Sequence, residues 1–100
     1  MIARLWKART APDDARRYET LFNEVILPHV TQGVPGYRNA NLLKRTIGNE
    51  VEFTTLFWFD SMDAIKQFAG EDIERAVVPE EARRLLSRYD KTVQHYEVVL

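Results

Sequence analysis

The two histidines are the side chains in this sequence that can exchange a proton near neutral pH, since an unperturbed histidine has a pKa of about 6.5. His95 lies in the last apolar stretch, and it is the candidate general base for a reaction that begins with deprotonation. The alternative for His95 is a structural hydrogen bond to the first strand or to a helix end. His29 continues the apolar stripe of the first predicted helix, where it lines a pocket mouth or bonds to the helix C-terminus.

Three phenylalanines provide the second candidate feature. Phe53, Phe57 and Phe59 alternate with other residues along one predicted strand, so their side chains share one face of it. Such a row forms either an aromatic wall for a flat ligand or an ordinary core beneath two helices. The two interpretations are compatible where the core is incompletely filled.

Several classes of site are excluded. The sequence has no cysteine, so disulfides and thiolate chemistry are ruled out, and two distant histidines argue against a metal site. No phosphate-binding loop, dinucleotide fingerprint, nucleophile elbow or zinc-protease motif is present. The 14 basic and 15 acidic residues leave a net charge of −1, which argues against nucleic acid as a partner.

Length and composition predict one domain over residues 1–100. Apolar residues make up 45% and charged residues 29%, as in an ordinary globular domain. No apolar run approaches the ~20 residues that a bilayer span requires. Charged residues interrupt the first stretch, where a signal peptide would be apolar. We therefore expect a soluble, cytoplasmic protein with no membrane partner.

The order of predicted elements is strand, helix, strand, strand, helix, strand. A first strand covers residues 2–9, and a helix begins at Pro12 and kinks or ends at Pro28. The remaining predicted elements are strands over 37–47 and 50–59 joined at Gly48 and Asn49, a helix over 61–70, helical pieces over 71–76 and 80–89, and a strand over 92–100. This order predicts an α+β, ferredoxin-like βαββαβ fold, an antiparallel sheet with helices on one face.

The second face of that sheet determines the expected partner. The hairpin turn pairs Arg45 with Glu52 and leaves Leu43, Leu56 and Trp58 on the face without helices. We expect Trp6 on the same face, and Arg4 there as well, where it balances a ligand carboxylate or pairs across an interface. An exposed apolar patch of this kind usually marks a contact surface, so we predict a homodimer formed through it.

Three segments carry a resemblance to a known family. They are LFWFDSMDAIKQFAGED at 56–72, PGYR at 35–38 and QHYEV at 94–98. The chain resembles the antibiotic biosynthesis monooxygenase-like proteins, a family of the dimeric α+β barrel superfamily, over nearly its whole length. The resemblance implies a pocket between each subunit's sheet and helices. Characterised members oxidise polycyclic aromatic phenols to quinones with molecular oxygen, without metal, flavin or heme.

The resemblance gives the candidate residues their expected roles. His95 would deprotonate the phenol, and the hydroxyl of Tyr37 or Tyr96 would orient the phenolate, unless these tyrosines simply pack on the strands. Members often carry tryptophan at the position of Phe59, whereas here the tryptophan is Trp58. The heme-degrading relatives combine asparagine on the first strand with histidine on the second helix, and neither is present here, so we do not expect heme degradation.

Two functions follow from these observations. The first is a cofactor-independent monooxygenase that oxidises a small polycyclic or phenolic aromatic compound. The second is a non-catalytic homodimer of the same fold that binds a small apolar ligand or has a structural role. RNA recognition shares this topology but is not expected, since the third strand, over residues 50–59, carries no glycine or basic residue.

Overall fold

The computed structural model describes all 100 residues as a five-stranded antiparallel sheet with helices on one face. The strands are β1 (Ile2–Thr10), β2 (Tyr37–Ile47), β3 (Glu50–Phe59), β4 (Leu86–Tyr89) and β5 (Gln94–Glu97), and the helices are α1 (Ala15–Leu21), α2 (Leu27–Gly33), α3 (Met62–Ala69) and α4 (Glu80–Arg83). The strand order is β2-β3-β1-β4, and β5 pairs with β1 beside β4. The predicted α+β fold is confirmed. No helix combines the length and the apolar character that crossing a membrane requires.

The β2–β3 hairpin has the register that its turn predicts. Arg45 lies opposite Glu52, and its Nε donates a hydrogen bond to Glu52 Oε1 over 2.9 Å. Gly48 has a φ of 57° and Asn49 does not have a positive φ, as in a type II′ turn. The register shifts only between Tyr37 and Asn39, at the start of β2.

Of the two outcomes predicted at Pro28, a kink or an end, the helical stretch does not end there, and it stops at Gly33 as predicted. The π-helical segment Phe22–Ile26 joins α1 to α2, and the N–H of Leu27 bonds to the carbonyl of Phe22. A proline inside a helix removes a hydrogen bond and crowds the carbonyl four residues earlier. The wider turn directly before Pro28 accommodates this crowding, so α2 continues to Gly33.

The core lies between the sheet and the helices, and all three predicted phenylalanines belong to it. Phe53 packs on Tyr18 with their ring centroids 4.9 Å apart, and Phe57 stacks on Phe22 at 6.0 Å. Phe59 is completely buried. The aromatic row on β3 therefore faces the helices, as its alternation predicts.

The C-terminal third differs from the prediction. Residues 71–76 form no helix, and the helical piece expected over 80–89 is confined to Glu80–Arg83. Leu86–Tyr89 instead forms β4, and the last strand is limited to Gln94–Glu97. Both strands pair with β1, which would otherwise present an unpaired edge. A tertiary partner thus overrides the local helical pattern.

The prediction for the faces of β1 was wrong. Arg4 lies opposite Phe57, and Trp6 lies opposite Thr55. Directly opposite residues of an antiparallel pair share a face, so Arg4 and Trp6 point toward the helices. Leu5, opposite Leu56, occupies the open face instead.

Candidate functional site

The inner side of β1 carries a buried cation. Arg4 is only 3% exposed, and its guanidinium is held by three contacts. Nη1 donates to the carbonyl of Ile73 over 2.6 Å, Nη2 donates to the carbonyl of Arg75 over 3.0 Å, and Nη1 lies 3.0 Å from Nε2 of His95. These contacts come from a loop and from β5, so they fix the guanidinium between two separate parts of the chain.

The two carbonyls face Arg4 because their segment runs alongside the chain before β5. The N–H of Ala76 bonds to the carbonyl of Lys91 over 2.9 Å, and the N–H of Val93 bonds to the carbonyl of Glu74 over 2.8 Å. Residues 73–74 form a turn, in which the N–H of Arg75 bonds to the carbonyl of Asp72 over 3.1 Å. The carbonyl of Glu74 is taken by Val93, and those of Ile73 and Arg75 accept from Arg4.

Arg4 has no carboxylate partner. Burial lowers the pKa of Arg4 to about 10, so the side chain remains cationic at neutral pH. The pKa of His95 lies below its ordinary value, chiefly because of burial and secondly because of the charge on Arg4, while Glu74 opposes the shift. His95 is thus neutral at neutral pH, and its Nε2 accepts from Arg4 in the tautomer that carries the proton on Nδ1.

Two small cavities lie beside this cation, between the sheet and the helices. The first, of about 30 Å³, includes Arg4 in its lining, and the second, of about 40 Å³, extends toward Tyr18 and Phe22. The residues that line both cavities are Trp6, Thr55, Phe57, Phe68 and Val77. The walls are therefore mostly apolar and aromatic, with a cation at one end.

A third cavity opens at the surface above the first two. It has a volume of about 290 Å³ and is lined by Val25, Ile26, His29, Val30, Phe68, Val77 and Pro79. Phe68 and Val77 line all three cavities, so the surface cavity adjoins the other two at these side chains. Val77 is 46% exposed, and it belongs to the segment between α3 and α4 that has no regular structure.

Polar and aromatic groups are arranged around the interior cavities. The indole Nε1 of Trp6 donates to the carbonyl of Asp90 over 2.6 Å, which fixes the ring. The guanidinium carbon of Arg4 lies 5.4 Å from the ring centroid of Phe68. The buried hydroxyl of Thr55 forms no hydrogen bond of normal geometry. Burial raises the pKa of Tyr18 to about 12, and the nearby Thr55 opposes the shift.

Comparison with known proteins identifies the architecture. No family model matches the sequence, and no curated protein matches it either. The solved structure of a provisionally assigned antibiotic biosynthesis monooxygenase from Bacillus cereus superposes with a TM-score of 0.70 over 100% of this chain and 93% of that one, at 12% identity. This chain has the antibiotic biosynthesis monooxygenase fold.

Two further structures share this monooxygenase fold. The heme degrader MhuD of Mycobacterium tuberculosis, solved with two hemes in its active site, has a TM-score of 0.62 and 20% identity, over 100% of this chain and 97% of that one. Rv0793 of the same organism has a TM-score of 0.63 and 18% identity, over 99% and 95%. Identities this low establish the shared fold, and the residues must be judged on this chain's own geometry.

On this monooxygenase fold, the site residues predicted from the sequence do not all line the same cavity. Phe57 lines both interior cavities, and His29 is exposed at the surface cavity. Phe53 and Phe59 are buried in the core and line none of the three cavities, and neither does Tyr37, which packs edge-on against Phe59 at 6.4 Å. His95 touches Arg4 but lines none of the three cavities either.

The open face carries three of the four residues predicted for the dimer interface. Leu56 and Trp58 lie there with Leu43, which is 51% exposed. The indole of Trp58 donates to Oδ1 of Asn41 over 3.0 Å, so its ring lies along the sheet. Nowhere in the chain do three or more histidine, aspartate or glutamate side chains gather as a metal-binding group.

Sequence reasoning placed Arg4 on the wrong face and did not select Thr55, Phe68 or Val77, which line the interior cavities. These four residues come from four different parts of the chain. Arg4 did carry a signal, because it interrupts an apolar strand between Ala3 and Leu5. The sequence left open whether its side chain points to the core or to the open face. The pairing of β1 with β3 decides which residues of β1 point toward the helices.

Proposed function

We propose that this chain oxidises an aromatic phenol with molecular oxygen, without a metal or an organic cofactor, in the space between its sheet and its helices. One observation carries the proposal. Trp6, Phe57 and Phe68 surround interior space beside the buried cation of Arg4, on a fold shared with an assigned monooxygenase. Aromatic walls suit a flat ring, and the cation suits an oxygen anion.

The reaction balances without an external reductant. A methylene group between two aromatic rings reacts with O2 to give a carbonyl group and one water, and the substrate supplies all four electrons that reduce the oxygen. In the phenolic tautomer of the substrate, one methylene hydrogen has moved to the oxygen on the ring, and this phenol proton is lost first. The phenolate passes one electron to O2, and the substrate radical and superoxide combine at the former methylene carbon as a peroxide, which takes up the lost proton. The O–O bond of this hydroperoxide breaks as the carbon loses its remaining hydrogen as a proton, and that proton leaves with the departing hydroxide as water.

The chain's own residues would act on the first step. The positive charge of Arg4 lowers the pKa of a phenol bound beside it, because an opposite charge favours the ionised form. In this proposal His95 is the proton acceptor, since it is neutral at neutral pH. Its Nε2 is occupied by the N–H of Arg4, so proton transfer to His95 requires Arg4 to turn toward the phenolate.

Oxidation of an anthrone-type phenol in air tests the proposal. Quinone absorbance is followed for the wild type, His95→Ala and the matched control His29→Ala, which removes the exposed histidine. We expect turnover by the wild type, a loss of about a hundredfold or more in His95→Ala, and little change in His29→Ala. Absence of turnover on tricyclic and tetracyclic phenols would refute the oxygenase proposal, and equal rates in all three proteins would refute the role of His95.

A second candidate function is ligand binding without turnover. The observation that favours it is the position of Arg4 between His95 and the cavity, because His95 then has no direct path to a bound molecule. Saturable binding of a polycyclic phenol with no consumption of O2, recorded with an oxygen electrode, supports this second function against the first.

Heme does not fit the residues around these cavities. His29 is the only histidine on the three linings, and it is exposed at the surface cavity. Tyr18 makes a poor axial ligand because burial raises its pKa to about 12 and so disfavours the phenolate.

We also propose that two copies of the chain pair through the open face. Leu43 and Tyr96 are each about half exposed there, at 51% and 53%, and the side chains of Leu56 and Trp58 lie beside Leu43 on the same sheet. Apolar groups on a face that no helix covers favour association with a second sheet. A homodimer would bury the apolar side chains of both copies at once.

A further inference from the structure

The guanidinium of Arg4 has unused hydrogen-bonding capacity. An arginine carries five N–H groups, and three of them are engaged by Ile73, Arg75 and His95. These contacts use both N–H groups of Nη1 and one of Nη2. The N–H of Nε and the second N–H of Nη2 remain without a partner in the protein. Free N–H groups of a guanidinium bind carboxylate oxygens through strong, charge-assisted hydrogen bonds.

The charge of Arg4 is also uncompensated. The ion pairs of the chain join other basic residues to carboxylates, and none of them includes Arg4. Its contacts are two backbone carbonyls and a neutral imidazole. A buried charge without a counterion is costly, so a ligand anion at this position gains from the attraction without having to displace a competing side chain.

Thr55 provides a second polar group on the same cavity. Its hydroxyl is buried beside that of Tyr18 and forms no hydrogen bond of normal geometry, although nearly all buried polar groups in folded proteins do. Thr55 lines the cavity that contains Arg4, together with Phe57 and Phe68. The cavity thus combines a cation that has two unpaired N–H groups, a buried hydroxyl and aromatic walls.

We propose that this cavity selects an aromatic carboxylic acid, whose carboxylate pairs with the free N–H groups of Arg4 while its ring lies against Phe57 and Phe68. The inference builds on the proposed function, because it specifies the substrate class of the same site. The Thr55 hydroxyl donates a hydrogen bond to an oxygen of the ligand.

A matched pair of ligands tests the inference. Anthracene-2-carboxylate and anthracene-2-carboxamide have the same shape and differ in charge. Each is titrated by fluorescence into the full chain without oxygen, at about pH 8, where the acid is ionised and His95 is neutral. We expect the wild type to bind the carboxylate at least about tenfold more tightly than the carboxamide.

Two variants assign the preference to Arg4. Arg4→Gln is expected to bind both ligands with similar affinity, and the matched control Arg83→Gln, which removes an exposed arginine on α4, is expected to keep the wild-type preference. Arg4→Lys keeps the charge but lacks the guanidinium N–H groups, so it should retain only part of the preference. A preference that survives intact in Arg4→Gln would overturn the inference.

The test does not depend on the variants folding. Equal affinity of the wild type for the two ligands refutes the inference without any variant. If Arg4→Gln unfolds, the nitrogen-edited NMR signal of the Arg4 Nε–H in the wild type decides, since it must shift with the carboxylate and not with the carboxamide. Selective binding of the acid without any oxidation refutes the oxygenase and leaves this inference standing. Oxidation of phenols by the wild type together with equal affinity for the carboxylate and the carboxamide refutes this inference and leaves the oxygenase standing.

Discussion

Arg4 on β1 and His95 on β5 face each other across an antiparallel pair, with Nη1 and Nε2 only 3.0 Å apart. The contact requires a neutral imidazole, because a protonated one offers Arg4 no acceptor and adds a second positive charge. The protonation state of His95 therefore controls the surroundings of the buried cation. The pairing of β5 with β1 creates this relationship, since it brings together residues from the two ends of the chain.

The first prediction is that the protein loses stability as the pH falls below about 6.5. The unfolded chain takes up the His95 proton near that ordinary value, whereas the folded chain takes it up only at lower pH. Between the two values the unfolded state binds more protons, so the free energy of unfolding decreases as the pH decreases. Urea unfolding between about pH 7.5 and about pH 5.5 measures this dependence.

The histidine responsible is identified by substitution. His95→Gln keeps an acceptor for Arg4 but cannot titrate, so its free energy of unfolding should depend less steeply on pH than that of the wild type. His29→Gln removes an exposed histidine that does not touch Arg4, and it should follow the wild type. The same slope in His95→Gln and the wild type would contradict the prediction.

The second prediction concerns the hydroxyl of Thr55. Thr55→Val removes a buried hydroxyl that forms no hydrogen bond of normal geometry and preserves the shape of the side chain. Because the desolvation of that hydroxyl is not repaid in the free protein, the variant should be more stable by about 1 kcal/mol. Thr54→Val, on the opposite face of β3 and partly exposed, should change stability less. Chemical denaturation measures both, and a destabilised Thr55→Val would show that the hydroxyl already has a partner.

The third prediction concerns Gly36, at the start of β2. Its φ is 91°, and a Cβ there would lie 2.8 Å from the Cβ of Ala64 on α3. Gly36→Ala should therefore destabilise the protein by about 2 kcal/mol, from backbone strain and this contact together. Gly33→Ala is the control, because its Cβ meets nothing within 4 Å and its φ is not positive, so we expect equal or higher stability. Thermal unfolding measures the stability of both variants. Equal melting temperatures would contradict the prediction.

The fourth prediction tests the proposed homodimer. Leu43→Glu places a charge on the open face, where the proposed second copy would bury it, and so it should give a monomer by light scattering at a concentration at which the wild type is dimeric. Gln67→Glu adds the same charge at an exposed position of α3, and it should leave the mass unchanged. A wild type that is monomeric at all concentrations would refute the proposed pairing.

Local pattern in the sequence was sufficient for much of the fold. The turn at Gly48 and Asn49 fixes which residues of β2 and β3 face each other, so the Arg45–Glu52 pair and the inward face of Phe53, Phe57 and Phe59 followed without coordinates. A hairpin register depends on neighbours a few residues apart, and the short-range rules of turn geometry determine it. The resemblance to the monooxygenase-like proteins was confirmed at the level of the fold.

The candidate site was decided only by tertiary structure. The stretch from Ile2 to Ala8 has apolar and charged residues on both of its faces, so alternation could not tell whether Arg4 and Trp6 point inward or outward. Pairing with β3 placed both inward, next to Thr55. Likewise, Leu86–Tyr89 adopts an extended form because β1 offers it a free edge. Contacts between residues so distant in sequence leave no periodic signal, and the buried cation with its carbonyls, histidine and cavity consists of such contacts.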